Sequence, residues 1–306
     1  MKKPLLPLLS LLGALGAQAS ENLKEPLDFS YNTQIYGKPM IEAIPTWGSG
    51  GILGLGEIGG IGGLGELFTF LQSGYFALIF LAIIIAIPLV FLGHYMVIGP
   101  KRFSHEGKKI KVFNTFNIMV HWIAGIPFVL LCITGLLMVF GDALGGGAFI
   151  RFARDVHGLA TIIFAIFGPL MFIMWVKHAL FKMYDIDWML ILGGYLSKVK
   201  RPIPAGKFNA GQKMWFWVCT MGGFFMVYSG YVMFFQEGNI ETLRLMAILH
   251  NVVGFAVVAL LMTHIYMAAF AIEGALHSIL DGHMGEEEVA ILHSFYYKEL
   301  QAEGKV

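Results

Sequence analysis

Charge is scarce in this 306-residue chain: Asp, Glu, Lys and Arg together make up 13% of it, about half the share found in a soluble domain. With 57% hydrophobic residues and a mean hydropathy of +0.70, that shortage excludes a soluble globular protein and implies an integral membrane one surrounded by lipid. The formal net charge is +1, so no global electrostatic attraction points to nucleic acid. Cysteine is nearly absent. Cys132 and Cys219 both fall in apolar stretches, and no C-x-x-C-H occurs, which leaves covalent haem attachment of the c type without support. Two thiols cannot supply the four cysteines of an iron–sulfur cluster. Carboxylates are missing from the middle of the apolar segments, with Asp142 and Glu273 at or beyond their ends. That argues against a transporter that relays protons between buried acids and histidines.

What the chain has instead is long apolar runs. Residues 1–19 read as a secretory signal, with Lys2 and Lys3 as the basic start, Leu5–Ala17 as the apolar core and Ala17-Gln18-Ala19 as the cleavage site. That core is shorter than the ~20 residues a span needs. Residues 20–74 form a glycine-rich segment without a strong period, expected in the periplasm as a linker or a docking strip for a partner. Its Gly54-Leu55-Gly56-Glu57-Ile58-Gly59 matches G-x-G-x-x-G, but no strand precedes it and no βαβ unit surrounds it, so a nucleotide site is rejected. Five spans follow: Tyr75–Ile98, Phe116–Phe140, His157–Val176, Met214–Phe235 and Leu245–Ile272. Basic residues crowd 101–113 and 177–213, whereas the opposing loops hold only Arg151 and Arg154, and Arg244. The positive-inside rule then puts the N-terminus in the periplasm and the C-terminus, with a tail at 286–306, in the cytoplasm of a bacterial inner membrane.

Histidine is where the chemistry concentrates. His250 and His264 lie 14 residues apart in one apolar segment. That interval turns an α-helix through about 1,400°, roughly 40° short of four turns, so both imidazoles leave nearly the same face about 21 Å apart. Ionisable groups are costly in hydrocarbon, and two stacked in this way suggest stations along a path across the membrane. Imidazole is also an axial ligand of haem iron. His121 lies near the cytoplasmic end of the second span, and His157 opens the third on the periplasmic side. Depth pairs His157 with His250 and His121 with His264; the crossed pairing would need one iron to bridge roughly 15–20 Å of height. Two non-covalent haem b groups are therefore expected. Interior histidines hydrogen-bonded to neighbouring helices are the plainer reading for one such residue, and a poorer one for four at two levels. Gly254, Gly135 and Gly158 would let a flat macrocycle approach a helix, although glycine also serves helix packing. Arg151 and Arg154 are propionate partners or, more simply, solvated loop charges. His94, His105, His178, His277, His283 and His293 read as structural, solvated or interfacial, and Glu286-Glu287-Glu288 as a solvated face.

Four stretches carry a resemblance: His121-Trp122, Val156-His157-Gly158, Phe208-Asn209-Ala210-Gly211-Gln212-Lys213-Met214, and Leu249-His250 through His264-Ile265-Tyr266-Met267-Ala268. Over about residues 112–285 the chain resembles the cytochrome b, or gamma, subunit of membrane-bound formate dehydrogenases. The Asn-Ala-Gly-Gln-Lys string is the most specific part, because helical periodicity gives no reason for it. Cytochromes b of hydrogenases and thiosulfate reductases share the plan and match it less well. The resemblance implies an all-α four-helix di-haem cytochrome b bundle, to which the first span is an N-terminal addition. It implies electrons arriving from a periplasmic molybdenum- or tungsten-dependent catalytic subunit through an iron–sulfur subunit. They would pass from the outer haem to the inner one and reduce menaquinone or ubiquinone near the cytoplasmic face. It further implies a quinone site of Asn209, Gly211, Gln212 and the shared ligand His264, and no formate-oxidising site on this chain. Without the resemblance, Asn209 is as readily a helix N-cap before a tight glycine turn as a donor to a quinone carbonyl. Lys213 could help deliver protons. The signal, the glycine-rich segment and the first span lie outside the resemblance and leave subunit contacts open.

Overall fold

The computed structural model describes residues 63–104 and 107–306. The chain divides into two compact units, residues 1–67 and 68–306, and the described part of the first is Gly63 and the start of the helix Leu64–Phe70. The expected signal segment, the glycine-rich stretch as far as residue 62, and His105 lie outside the described residues.

Five helical runs are long and apolar enough to cross a membrane: Leu64–Val97, Thr115–Val139, Gly147–Ala179, Ala210–Phe234 and Ile240–Ala271. They are the first to fifth spans of a multi-pass membrane protein. Large apolar side chains such as Leu78, Val90, Ile173 and Tyr228 lie exposed along them, a surface that lipid solvates and water does not. Helix ends near lipid need partners for their free N–H groups, and asparagine supplies them at three spans. Asn114 accepts from the Asn117 N–H at 2.8 Å, Asn209 from Gln212 at 2.9 Å and Asn239 from Thr242 at 2.9 Å. In the first two the third helical residue returns the bond, closing a capping box.

The second span packs along the third, the third against the fourth, the fourth against the fifth, and the fifth back against the second. Val120, Phe128, Phe164, Phe216, Val257 and Leu261 fill the core between them. Phe164, 1% exposed, lies across two glycines: a Cβ added at Gly223 or Gly168 would come within 2.7 or 3.1 Å of its ring. Here glycine serves close approach. The first span lies against the fifth, with Phe80 edge-on to Phe255 at 4.6 Å and Phe91 stacked on Tyr266 at 4.2 Å.

Three helices begin at least five residues before their apolar limits. The third begins at Gly147, so His157 lies ten residues inside it and does not open it. The polar turn containing Arg151, Arg154 and Asp155 ends the apolar run, but the helix continues through it. The fifth begins at Ile240 for the same reason. The first runs back to Leu64, into residues read as part of the glycine-rich segment.

The fold is also not purely helical. Strands β1, Lys109–Lys111, and β2, His283–Gly285, pair antiparallel with Ile110 opposite Met284. The helices Glu286–Leu292 and Ser294–Ala302 follow, and Val289 and Leu300 pack on Ile110 and Val112. Residues 286–306 are thus folded onto the protein. The acidic run is not a solvated face: Glu286 accepts from the Tyr297 hydroxyl at 2.7 Å, Glu287 pairs with Lys200 at 2.7 Å, and Glu288 is 2% exposed. Glu288 shares a helix face with Leu292, four residues on, and that face is the buried one. His293 is buried as well, its Nδ1 2.8 Å from the Gly206 carbonyl oxygen. Burial pushes its pKa below the usual imidazole value.

Candidate functional site

Helix pitch sets four histidines at two levels. His157 and His250 each lie ten residues after the start of their helices, at Gly147 and Ile240. His121 lies six residues after Thr115, and His264 seven before Ala271. At the first level the two imidazoles are within electrostatic reach of each other. At the second, the ring centres of His121 and His264 are 6.5 Å apart. With metal–imidazole bonds of about 2 Å on either side, two trans imidazoles hold their ring centres roughly 6 Å apart, so the observed separation fits a shared metal.

At the first level the surroundings fix the tautomer. Thr134 Oγ1 donates to the Leu130 carbonyl at 2.6 Å, so its oxygen accepts from His157 Nδ1–H at 2.9 Å. Ser229 repeats the arrangement from the fourth span, donating to Phe225 O at 2.9 Å and accepting from His250 Nδ1–H at 2.8 Å. A ring protonated at Nδ1 keeps its lone pair on Nε2, the nitrogen left for a metal. A glycine follows each hydroxyl residue. A Cβ added at Gly135 or Gly230 would lie 3.6 or 3.7 Å from Cε1 of His157 or His250. Thr134-Gly135 and Ser229-Gly230 therefore hold the two rings of one level in the same way.

At the second level His121 Nδ1 is buried without a hydrogen-bond partner, so no protein group fixes that ring's tautomer as Thr134 and Ser229 do at the first level. Trp215 lies flat against His264, ring centres 5.2 Å apart and planes 18° from parallel. Among the described residues no three His, Cys, Asp or Glu side chains come together to hold a bare metal ion. Two imidazoles per level, one level with its tautomer fixed, suit a metal that arrives with its other ligands in place, as iron does in haem. Phe128 and Phe164, each seven residues beyond a histidine, pack at 5.1 Å in the layer between the levels.

A profile of the prokaryotic cytochrome b561 family matches residues 112–282, more than half of the chain. The chain belongs to the prokaryotic cytochrome b561 family. It is similar to the cytochrome b556 subunit of the nitrate-inducible formate dehydrogenase of Escherichia coli K12, with 27% identity over 200 residues that cover 60% of this chain and 89% of that one. The cytochrome b556 subunit of the Haemophilus influenzae formate dehydrogenase is 28% identical over 191 residues, 58% of this chain and 78% of its own. A second formate dehydrogenase cytochrome b556 subunit of E. coli K12 is 25% identical over 191 residues, 59% of this chain and 88% of its own. The resemblance carried by the histidine and Asn-Ala-Gly-Gln-Lys stretches is thereby borne out, and membership of a cytochrome b family implies haem b.

In this b561 chain the Asn209–Gln212 element caps the fourth span. Asn209 Oδ1 accepts from the Gln212 N–H and Gln212 Oε1 from the Asn209 N–H, both at 2.9 Å. The Asn209 amide also bonds the Tyr195 hydroxyl. Gly211 admits Trp188, whose ring would lie 2.9 Å from an added Cβ. Gln212 is exposed and one turn before Trp215, so the element and His264 are linked through that tryptophan. Lys213 is no free proton carrier: it is 1% exposed and paired at 2.7 Å with Asp185, also 1% exposed.

Of the glycines read as facing haem, Gly135 lies beside His157 as expected, Gly158 meets nothing within 4 Å, and Gly254 faces the Phe80 ring of the first span, 3.2 Å from an added Cβ. Gly254 therefore serves helix packing. Arg154 pairs with Asp155 at 3.3 Å, as a surface charge does. Thr134, Ser229, Gly230 and Asp185 went unread in the sequence. The first three had a signal, because a hydroxyl-glycine pair precedes each histidine of that level, by 23 and 21 residues.

Proposed function

We propose that this cytochrome b561 chain is the electron-transferring membrane subunit of a formate:quinone oxidoreductase. The observation that supports the reading most is the set of two histidine pairs, one with both tautomers fixed by Thr134 and Ser229. The formate dehydrogenase subunits to which the chain is similar give the partner class. His157 and His250 hold one haem b towards the periplasmic face, and His121 and His264 hold a second towards the cytoplasmic face. The second to fifth spans form a four-helix di-haem bundle, with the first packed outside it. Bound haem supplies a one-electron couple at each level.

The chain's own residues do the rest. The fifth helix spaces the levels by about 21 Å, and Phe128 and Phe164 keep water out of the layer between them. Asn209, Gly211, Gln212 and His264 border a site for menaquinone or ubiquinone, where the Gln212 amide offers donors to a quinone oxygen and Trp215 fixes the His264 ring. The basic stretches 101–113 and 177–213 keep that end in the cytoplasm and the N-terminus in the periplasm of a bacterial inner membrane. Formate oxidation belongs to a periplasmic molybdenum or tungsten subunit, which reaches this chain through an iron–sulfur subunit.

The full chain, tagged and isolated with its partners from its own membranes, tests this. Formate should reduce a quinone analogue in that preparation, and His264→Ala should abolish the reaction. Reduction driven by hydrogen and not by formate would assign the chain to a hydrogenase instead.

A further inference from the structure

A buried acid near the C-terminus has no part in the reading above. The helix Glu286–Leu292 turns Glu288 inward with Val289 and Leu292. The side chain is 2% exposed, and its Oε1 has no hydrogen-bond partner. Burial favours the neutral carboxyl and pushes Glu288 up to about 7, against a hydrogen bond from the Gly285 backbone.

Tyr195 connects this acid to the cap. Gly193 and Gly194, with φ of +60° and +68°, turn the chain sharply in front of it, and a Cβ at Gly193 would come 2.5 Å from the Trp188 ring. The Tyr195 hydroxyl interacts electrostatically with Glu288 and is hydrogen-bonded to Asn209. His94 of the first span holds the same turn: its Nε2–H donates to the Tyr195 carbonyl at 2.9 Å, while its Nδ1 accepts from the Tyr266 hydroxyl at 2.6 Å. On the elements packed around Glu288, Glu286 is bonded to Tyr297, Glu287 to Lys200, and Lys109, Lys111 and His283 lie on the paired strands. The Gly285 backbone hydrogen-bonds Glu288, and the Tyr195 hydroxyl lies within its electrostatic reach. The line therefore runs from Glu288 through Tyr195 to Asn209, and the partly exposed Lys200–Glu287 pair adjoins its outer end.

We infer that Glu288 is the internal proton donor for quinone reduction, acting through the Tyr195 hydroxyl on a quinone oxygen held at Asn209 and Gln212. The inference rests on the quinone site proposed above. Reduction of a quinone to a quinol consumes two electrons and two protons. The electrons arrive through the chain's one-electron carriers. For each proton, Glu288 first turns to hydrogen-bond the Tyr195 oxygen, a contact its unpartnered Oε1 does not make at rest. The Tyr195 O–H bond then breaks towards the quinone oxygen as the Glu288 proton bonds to the tyrosine oxygen, leaving tyrosine unchanged and Glu288 a carboxylate. Glu288 then regains a proton from the cytoplasm before the second transfer.

The test uses the full haem-loaded chain, reduced with dithionite and mixed with an oxidised ubiquinone analogue, so that no formate-oxidising partner is needed. Haem reoxidation in the wild type should slow as pH rises through about 7. Glu288→Gln should slow it at least tenfold at pH 6 and flatten the profile, with the haem content unchanged, and Glu288→Asp should restore most of the rate. The infrared difference spectrum of the reaction should contain a carboxyl C=O band that Glu288→Gln removes. A Glu288→Gln chain with the wild-type rate, profile and band would overturn the inference and leave the quinone site standing. If that variant loses haem, Tyr195→Phe decides, and a wild-type profile there is equally fatal. Wild-type haem that quinone does not reoxidise would overturn the quinone site and this donor together.

Discussion

Thr134→Val removes one oxygen from beside His157 and keeps the shape of the side chain. Thr134 is 5% exposed, and its hydroxyl accepts the Nδ1–H of His157 at 2.9 Å while donating to Leu130 O at 2.6 Å. Valine cannot accept that proton, and little water reaches the site to replace the hydroxyl. A buried donor left unpaired costs about 1–3 kcal/mol. Loss of an outer partner of a metal-bound histidine lowers metal affinity by about 10–100-fold, or ~1.4–2.7 kcal/mol at 1.4 kcal/mol per decade. The two estimates agree. Ser229→Ala is the same experiment on His250, where the bond is 2.8 Å. Because both would act on the one haem proposed at that level, their effects should not add. The assay is titration of haem into the depleted chain, followed in the visible spectrum at each level. Each variant should weaken haem at the level of His157 and His250 by one to two decades and leave the level of His121 and His264 untouched. Thr134→Ser, which keeps the hydroxyl, should bind as the wild type does. Equal weakening at both levels, or none at either, would refute the assignment of these hydroxyls.

Three further outcomes follow from packing and charge. Phe164→Ala empties a fully buried site between the levels and should cost about 3–5 kcal/mol, read as a lower Tm in detergent; an unchanged Tm would mean that this layer is not close-packed. Lys213→Met strands the buried carboxylate of Asp185 and should cost about 3–5 kcal/mol, whereas the double variant with Asp185→Leu should recover most of it; a double variant no more stable than the single one would argue against the pair. Glu288, raised from 4.5 to about 7 by burial, is neutral in both states at low pH, so the stability present below pH 4.5 is lost as pH rises through about 7. Glu288→Gln should therefore match the wild type near pH 4 and be more stable by up to roughly 3 kcal/mol at pH 8, measured as Tm against pH; a constant difference across that range would show that Glu288 does not titrate there.

The spans and the levels of the histidines were legible because each depends on a single property of the chain. Twenty apolar residues span hydrocarbon whatever they pack against, and 14 residues bring two imidazoles to one face whatever surrounds them. Helix limits were less legible. His157 looked like the start of a span because Arg151 and Arg154 end the apolar run, yet backbone hydrogen bonding carries the helix back to Gly147. The hydroxyls that hold His157 and His250 come from other helices, so their signal, a Thr-Gly and a Ser-Gly 23 and 21 residues earlier, lies beyond any pattern within the helix that carries each histidine. Glu288 was misread because three adjacent acids suggest solvent, while a helix buries one residue in three or four and leaves its neighbours outside. Asp185 was overlooked for a related reason: its partner Lys213 lies 28 residues away and was read as a free base.

The central claim is that two histidine pairs hold two haem b groups, and a reduced-minus-oxidised visible spectrum of the purified full chain, with haem counted per polypeptide, tests it most directly. The account predicts two b-type haems per chain, falling to one in His157→Ala and in His121→Ala. A well-folded wild-type chain with one haem or none would contradict it.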